Sequence, residues 1–182
     1  MNRAPRKPDR ISSASFPELI ERWMPEYGLV PSPLQRGLLA RYLDLLAAAN
    51  QRIRLVGNAE AEILVRRHLG ESIYLGTRMP LAGRSLADVG SGAGFPGLAL
   101  AIAFGLKTTL VESTLKKAAF LRSAIEALGL SGVEVRAEFL DPHPKRPLAA
   151  DVVTVRALEG MAQVPRWLAR WLRPQARAAF WV

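Results

Sequence analysis

The sequence predicts an α/β fold: a helical cap followed by a parallel sheet with helices on both faces. Three observations point there. The first 80 or so residues carry apolar side chains at helical spacing with no alternating stretch. From Ser85 onward, short apolar segments alternate with longer amphipathic ones, the pattern of right-handed βαβ units. A glycine-dense stretch, DVGSGAGFPG over residues 88–97, lies between the first of these strands and the helix after it.

In the cap, Leu38, Leu39, Tyr42, Leu43, Leu45 and Leu46 mark one long helix, entered past Pro31 and Pro33. Ile63, Leu64, Leu69, Ile73 and Leu75 mark a second, set apart by Gly57-Asn58 and opening on Glu60 and Glu62. Trp23 and Tyr27 read as anchors for the leading helix. Pro80 to Gly83 closes the section. Strands are expected at 85–89, 108–111, 133–136, 151–155 and 177–182, and helices at 96–104, 114–128 and 161–172. Gly129 marks the end of the second of these helices. The division expected is a basic arm over 1–15, a helical cap over 16–84 and the sheet domain over 85–182.

Composition narrows the chemistry. There are 182 residues, no cysteine and two histidines, His68 and His143, which excludes disulfides, thiolate zinc sites and cysteine nucleophiles and leaves no expected metal. The start of the chain lacks the apolar core of a signal peptide, and no apolar run reaches the roughly 20 residues that span a bilayer. The expectation is a cytoplasmic monomer. With 25 Lys and Arg against 16 Asp and Glu, the net charge of +9 favours a polyanionic partner. That charge is spread along the chain, and only Arg3, Arg6, Lys7 and Arg10 form a local basic arm.

Gly90, Gly92, Gly94 and Gly97 allow a tight strand-to-helix turn and close approach of a ligand, with free N–H donors expected at the helix N-terminus. Two cofactor classes compete. Gly92, Gly94 and Gly97 match G-x-G-x-x-G, which admits a dinucleotide. Asp88 makes the stretch D-x-G-x-G-x-G, and a carboxylate there should repel a pyrophosphate while suiting the cationic groups of S-adenosylmethionine. Glu112, at the second strand's end, suits ribose hydroxyls in either case. The peptide Asp141 to Pro144 precedes the fourth strand and reads as a loop, with His143 an exposed turn residue. Trp167 and Trp171, four residues apart among arginines, fit either a base-stacking stripe or, as favoured here, a helix packed on the sheet.

Together DVGSGAGFPG, TLVES, LKKAAFL and LGLSGVEVRAE resemble the RsmG (GidB) family of 16S ribosomal RNA guanine-N7 methyltransferases. The similarity extends through LARYLDLLAAANQRIRL, VRRHLGES and DVVTVRAL. The resemblance implies a Rossmann-like methyltransferase sheet that binds S-adenosylmethionine and acts on 16S ribosomal RNA or the small ribosomal subunit. It implies cofactor contacts from Asp88, Gly90, Ser91, Gly92, Gly94, Phe95, Glu112, Ala137 and Glu138. Catalytic roles would fall to His68, Lys116 and Arg156, with Ser72 near the mouth, and RNA contacts to Lys117, Arg122 and Arg136. Guanine N7 carries a lone pair at neutral pH, so no general base is required and positioning carries the reaction. The sequence departs from the family at Arg54-Leu55-Val56, where Asn-Leu-Thr is usual, at Glu71 for Asp and at Val155 for Ser. It reaches Val182 where relatives continue into closing strands, so a sheet edge is expected to be open. A protein that binds the methyl donor but is silent, or that methylates another RNA or a small molecule, is the alternative.

Overall fold

The computed structural model describes residues 14–139, 147–156, 164–172 and 176–181. The basic arm's charged residues and His143 lie outside them.

The cap begins with α1 (Phe16–Trp23), opened by Ser15, whose backbone N–H donates to Glu18 Oε2 at 2.8 Å. A 3-10 turn, Met24–Tyr27, follows, ending at Gly28 in a left-handed conformation. Helix α2 (Pro33–Asn50) starts at the second of the two prolines expected at its entry, with a capping box between Ser32 and Gln35. Gln35 also donates from Nε2 to the Ala103 carbonyl at 2.7 Å, which ties the start of this helix to the sheet domain. Asn50 ends it by accepting from the N–H groups of Leu55 and Val56 at 2.8 and 2.9 Å, so the family departure at 54–56 folds as a side-chain-held turn. The next helix is continuous from α3 (Ala61–Ile63) through a π-helical stretch, Leu64–Leu69, into α4 (Gly70–Arg78). Periodicity did not foretell that π stretch. Ser72 Oγ, in α4, donates to the carbonyl of His68 near the end of that stretch at 2.6 Å, and π segments recur at functional sites.

The sheet domain alternates β1 (Leu86–Val89), α5 (Gly97–Phe104), β2 (Thr108–Val111), α6 (Leu115–Leu128), β3 (Val133–Arg136), β4 (Val152–Arg156), α7 (Val164–Trp171) and β5 (Arg177–Trp181). All five expected strands are present, shifted by a residue at some ends. They are parallel in the order β3-β2-β1-β4-β5. The order reverses between β1 and β4, and in such sheets ligands bind outside the carboxyl ends of the strands at that switch point.

The faces follow from the two-residue alternation of the strands. Ala87, Val89, Val111, Val153 and Val155 turn to one face and pack with Leu168 and Trp171 of α7. Trp171 is therefore core, as favoured from sequence, and Val155 is buried in the same cluster. On the other face Leu110 joins α5 and α6 in a cluster that runs without a break into Tyr42, Leu43 and Leu46 of α2 and Leu64, Leu69 and Ile73 of the next helix. The expected boundary near residue 84 marks a change of secondary structure, and the buried apolar side chains cross it.

No helix among the described residues is long and apolar enough to cross a membrane.

Candidate active site

The glycine-rich loop leaves β1 at Val89 and enters α5 at Gly97. Its backbone N–H groups at Gly90 and Ser91 donate to the Val111 carbonyl at 2.9 and 3.1 Å, which folds the loop over the end of β2. Gly94 has φ of +103°, and a Cβ there would lie 2.8 Å from Tyr42 Oη, so both backbone and space demand glycine. Ser91 is buried and donates from Oγ to the Asp88 carbonyl at 2.8 Å.

Asp88 is 1% exposed. The parallel register sets it opposite Thr154, whose hydroxyl donates to Oδ1 at 2.6 Å. Oδ2 accepts from the Gly97 N–H at 3.2 Å. Burial is the main cause that raises its carboxyl to about 6, with the Thr154 bond and other hydrogen bonds pulling the other way. The carboxylate thus sits beneath the loop, and the expectation that it faces the ligand is corrected: both faces of β1 are covered, so every residue of the strand, Asp88 included, is buried.

The expected free donors of α5 are also absent. Gly97 N–H is held by Asp88, Leu98 and Ala99 N–H by the Gly94 carbonyl at 2.9 and 3.3 Å, and Leu100 N–H by the Pro96 carbonyl at 2.9 Å. This helix N-terminus presents none of those four donors to an anion.

Glu112 follows β2 and is 5% exposed. Its two oxygens accept from the Gly92 N–H and the Thr114 N–H, each at 2.8 Å. A carboxylate offers about four lone-pair positions, so acceptor capacity remains for two hydroxyls.

Two residues of the cap close on this loop. Tyr42, fully buried, donates to the Ala93 carbonyl at 2.8 Å, and burial drives its phenol pKa well above the ordinary value. From sequence it was one position of an apolar stripe; the signal was a lone hydroxyl among leucines, since a buried tyrosine needs a partner. His68 stacks on Phe95, with ring centroids 5.3 Å apart and planes at 22°. Arg156, at the end of β4, places Nη2 2.9 Å from Glu71 Oε2 and 3.3 Å from His68 Nδ1. Burial first, then Arg156 and Arg67, lowers the His68 pKa to about 4, so its ring is neutral at pH 7.

The other expected residues divide. Ser72 is buried against its own helix and is not at the mouth. Arg136 is 13% exposed, is ion-paired with Glu138, and lies over the Trp171 ring at 5.4 Å, so it braces the sheet edge. Ala137 beside them is half-buried. Lys116 is exposed and Lys117 half-buried at the start of α6, and Arg122 reaches the Val135 carbonyl at 3.5 Å. Trp23 is half-buried on the core cluster with Arg66 4.1 Å over its ring.

Comparison with known proteins places this geometry in context. The family model described as GidB, rRNA small subunit methyltransferase G, matches residues 35–180. A Ribosomal RNA small subunit methyltransferase G from Chloroflexus aggregans is 43% identical over 137 residues, 72% of this chain and 57% of that protein. One of the same name from Stenotrophomonas maltophilia is 41% identical over 156 residues, 82% of this chain and 71% of that protein. The chain therefore spans a little over half to about seven-tenths of the length of these relatives. Among solved structures, a SAM-dependent methyltransferase from Thiobacillus denitrificans in complex with S-adenosyl-L-homocysteine matches with a TM-score of 0.53 at 20% identity, covering 77% of this chain and 54% of that one, a likeness of fold.

Proposed function

The chain belongs to the GidB family, rRNA small subunit methyltransferase G, and from that premise we propose that it transfers a methyl group from S-adenosylmethionine to guanine N7 of 16S ribosomal RNA. The observation that carries the choice of cofactor is the occupied N-terminus of α5. Dinucleotide folds seat a pyrophosphate on free N–H groups at that position. Here Asp88 already holds the first of them from below, and a second anion would meet a buried carboxylate. A cationic, phosphate-free nucleoside meets no such conflict.

The residues present fit that ligand. Glu112, fixed beside Gly92, would accept from the ribose hydroxyls, and Gly90, Gly92 and Gly94 would let the backbone pass close to the amino-acid part. Asp88 acts one layer down, holding the loop against α5 through Gly97 and against β4 through Thr154. Ala137 and Glu138 would border the adenine. When bound, S-adenosylmethionine supplies an electrophilic methyl group.

The protein's own part is positioning. His68, neutral at pH 7 and stacked on Phe95, would form one wall of the mouth. Arg156 would meet the guanine or a flanking phosphate, as an arginine fork suits both. Lys116, Lys117 and Arg122 would contact the RNA backbone, and residues 16–84 would act as the cap that reads its shape, since A-form major grooves exclude side chains. Ribosomal RNA or the small subunit as substrate places the work in the cytoplasm.

The test has two arms. Calorimetry should detect S-adenosylhomocysteine and not NADH. Labelled methyl donor with small subunits that lack the modification should yield one methylated guanosine. Binding of NADH alone, or label at another position or none, would remove this reading.

A further inference from the structure

Building on the methyltransferase reading above, we propose that Glu71 is a positioning residue: it holds the Arg156 guanidinium across the mouth of the site, so that the cap decides where the RNA-facing arginine points. Arg156 ends β4, one residue past Val155, which pairs in register with Val89 at the entrance of the glycine-rich loop. Its side chain is 15% exposed, and a guanidinium that far from water needs a carboxylate close by. Glu71 provides one at 2.9 Å and is itself 43% exposed, so the pair opens to solvent on the Glu71 side.

The connection runs further. Nη2 of Arg156 also lies 3.3 Å from His68 Nδ1, and the His68 ring stacks on Phe95, the loop residue just before the turn into α5. One side chain of the cap thereby fixes an arginine of the sheet against a histidine that rests on the cofactor loop.

The placement of Glu71 is built into the helix. Gly70 lies against the Tyr27 ring, where a Cβ would come 2.5 Å from it, so the helix can sit this close to Tyr27 only with glycine there. The π stretch before it and the Ser72 bond to the His68 carbonyl set His68 and Glu71 together over Arg156. Arg67 lies 3.9 Å from the other carboxylate oxygen and steadies Glu71 from its own helix. An arginine side chain loses rotamer freedom when it is held, and fixing it before the polyanion arrives leaves less to lose on binding.

Glu71→Gln removes the charge and keeps the shape, and Glu71→Asp is the conservative rescue. With small ribosomal subunits as substrate, Glu71→Gln should lower kcat/KM at least tenfold while S-adenosylhomocysteine affinity changes less than twofold, and Glu71→Asp should recover most of the loss. Proton NMR of the imidazole rings supplies a readout that needs no turnover, with His143→Gln assigning the two signals. The charged groups acting on His68 are Arg156 from β4 and Arg67 from its own helix, with Glu71 reaching it through Arg156 and Phe95 on the loop side. If Glu71 positions Arg156, its loss lets the guanidinium swing away and the His68 midpoint rises. If Glu71 is only a nearby negative charge, its loss makes the midpoint fall. Wild-type turnover in Glu71→Gln, or a falling midpoint, overturns the proposal. An inactive wild-type protein overturns the methyltransferase reading instead, and the His68 midpoint still decides whether Glu71 holds Arg156.

Discussion

Replacing Gly97 with alanine adds one methyl group at the point where α5, β1 and β2 meet, and the structure sets the cost. A Cβ there would strike Asp88 Cβ, lie 2.6 Å from Leu110 Cδ2 and 2.7 Å from Asp88 Oδ2. Carbon atoms prefer about 3.5–4.0 Å, so the helix end must retreat by about 1 Å. Neither neighbour can yield cheaply, since Leu110 is fully buried and Asp88 is held by Thr154. Overpacking of this kind costs about 1–3 kcal/mol. Breaking the Gly97 bond to a buried carboxylate adds about 1–3 kcal/mol. The sum, roughly 2–6 kcal/mol, should lower the melting temperature by at least about 4 °C in a chain of this size. Retreat of the helix end should also displace the loop that leads into it and weaken S-adenosylhomocysteine binding. Urea unfolding and calorimetry on the same preparation measure both. A variant within 0.5 kcal/mol of the parent by the usual scatter of neutral substitutions, with unchanged affinity, would refute the placement of Asp88 beneath the loop.

Three further outcomes are expected. Asp88→Asn keeps an acceptor for Thr154 and sets an amide N–H₂ against the Gly97 N–H. Its pH dependence carries a sign: the native carboxyl, at about 6 against an ordinary 3.8, gives stability that is complete below 3.8 and lost as pH rises through 6. The parent's advantage over Asp88→Asn should therefore shrink by about 2 kcal/mol between pH 4 and pH 7 in urea melts, and a constant difference would exclude a raised carboxyl. Tyr42→Phe leaves the Ala93 carbonyl without its donor and should cost about 1–3 kcal/mol with weaker cofactor binding; an unchanged melt would show that the cap does not hold the loop. Glu112→Ala should weaken S-adenosylhomocysteine by about 1–3 kcal/mol in calorimetry through lost charged hydrogen bonds, and full affinity would remove Glu112 from the ribose site.

Much of the fold was legible because its signals are local. The switch from helical spacing to short apolar strands at Ser85 reports which faces are buried, and burial at a period of two or 3.6 residues needs no knowledge of neighbours. Glycines packed between a strand and a helix announce a turn that side chains would obstruct, so the position of the loop could be read directly. Glu112 was legible for the same reason: a carboxylate just past a buried strand sits at the sheet's carboxyl edge.

What the chain could not reveal by itself depends on residues far apart in sequence meeting in space. Asp88 read as a ligand-facing charge, whereas a strand covered on both faces buries it and the β1–β4 register sets it beside Thr154, 66 residues away. Tyr42 became a clamp on the loop only because α2 packs over α5. Arg156, Glu71 and His68 came together through a π stretch that apolar periodicity cannot show, since inserting a π turn changes which side chains share a face without changing their identity. Local pattern determined the elements and the loop that joins them; tertiary packing decided which charges are buried, which donors remain free and which residues of the cap reach the site.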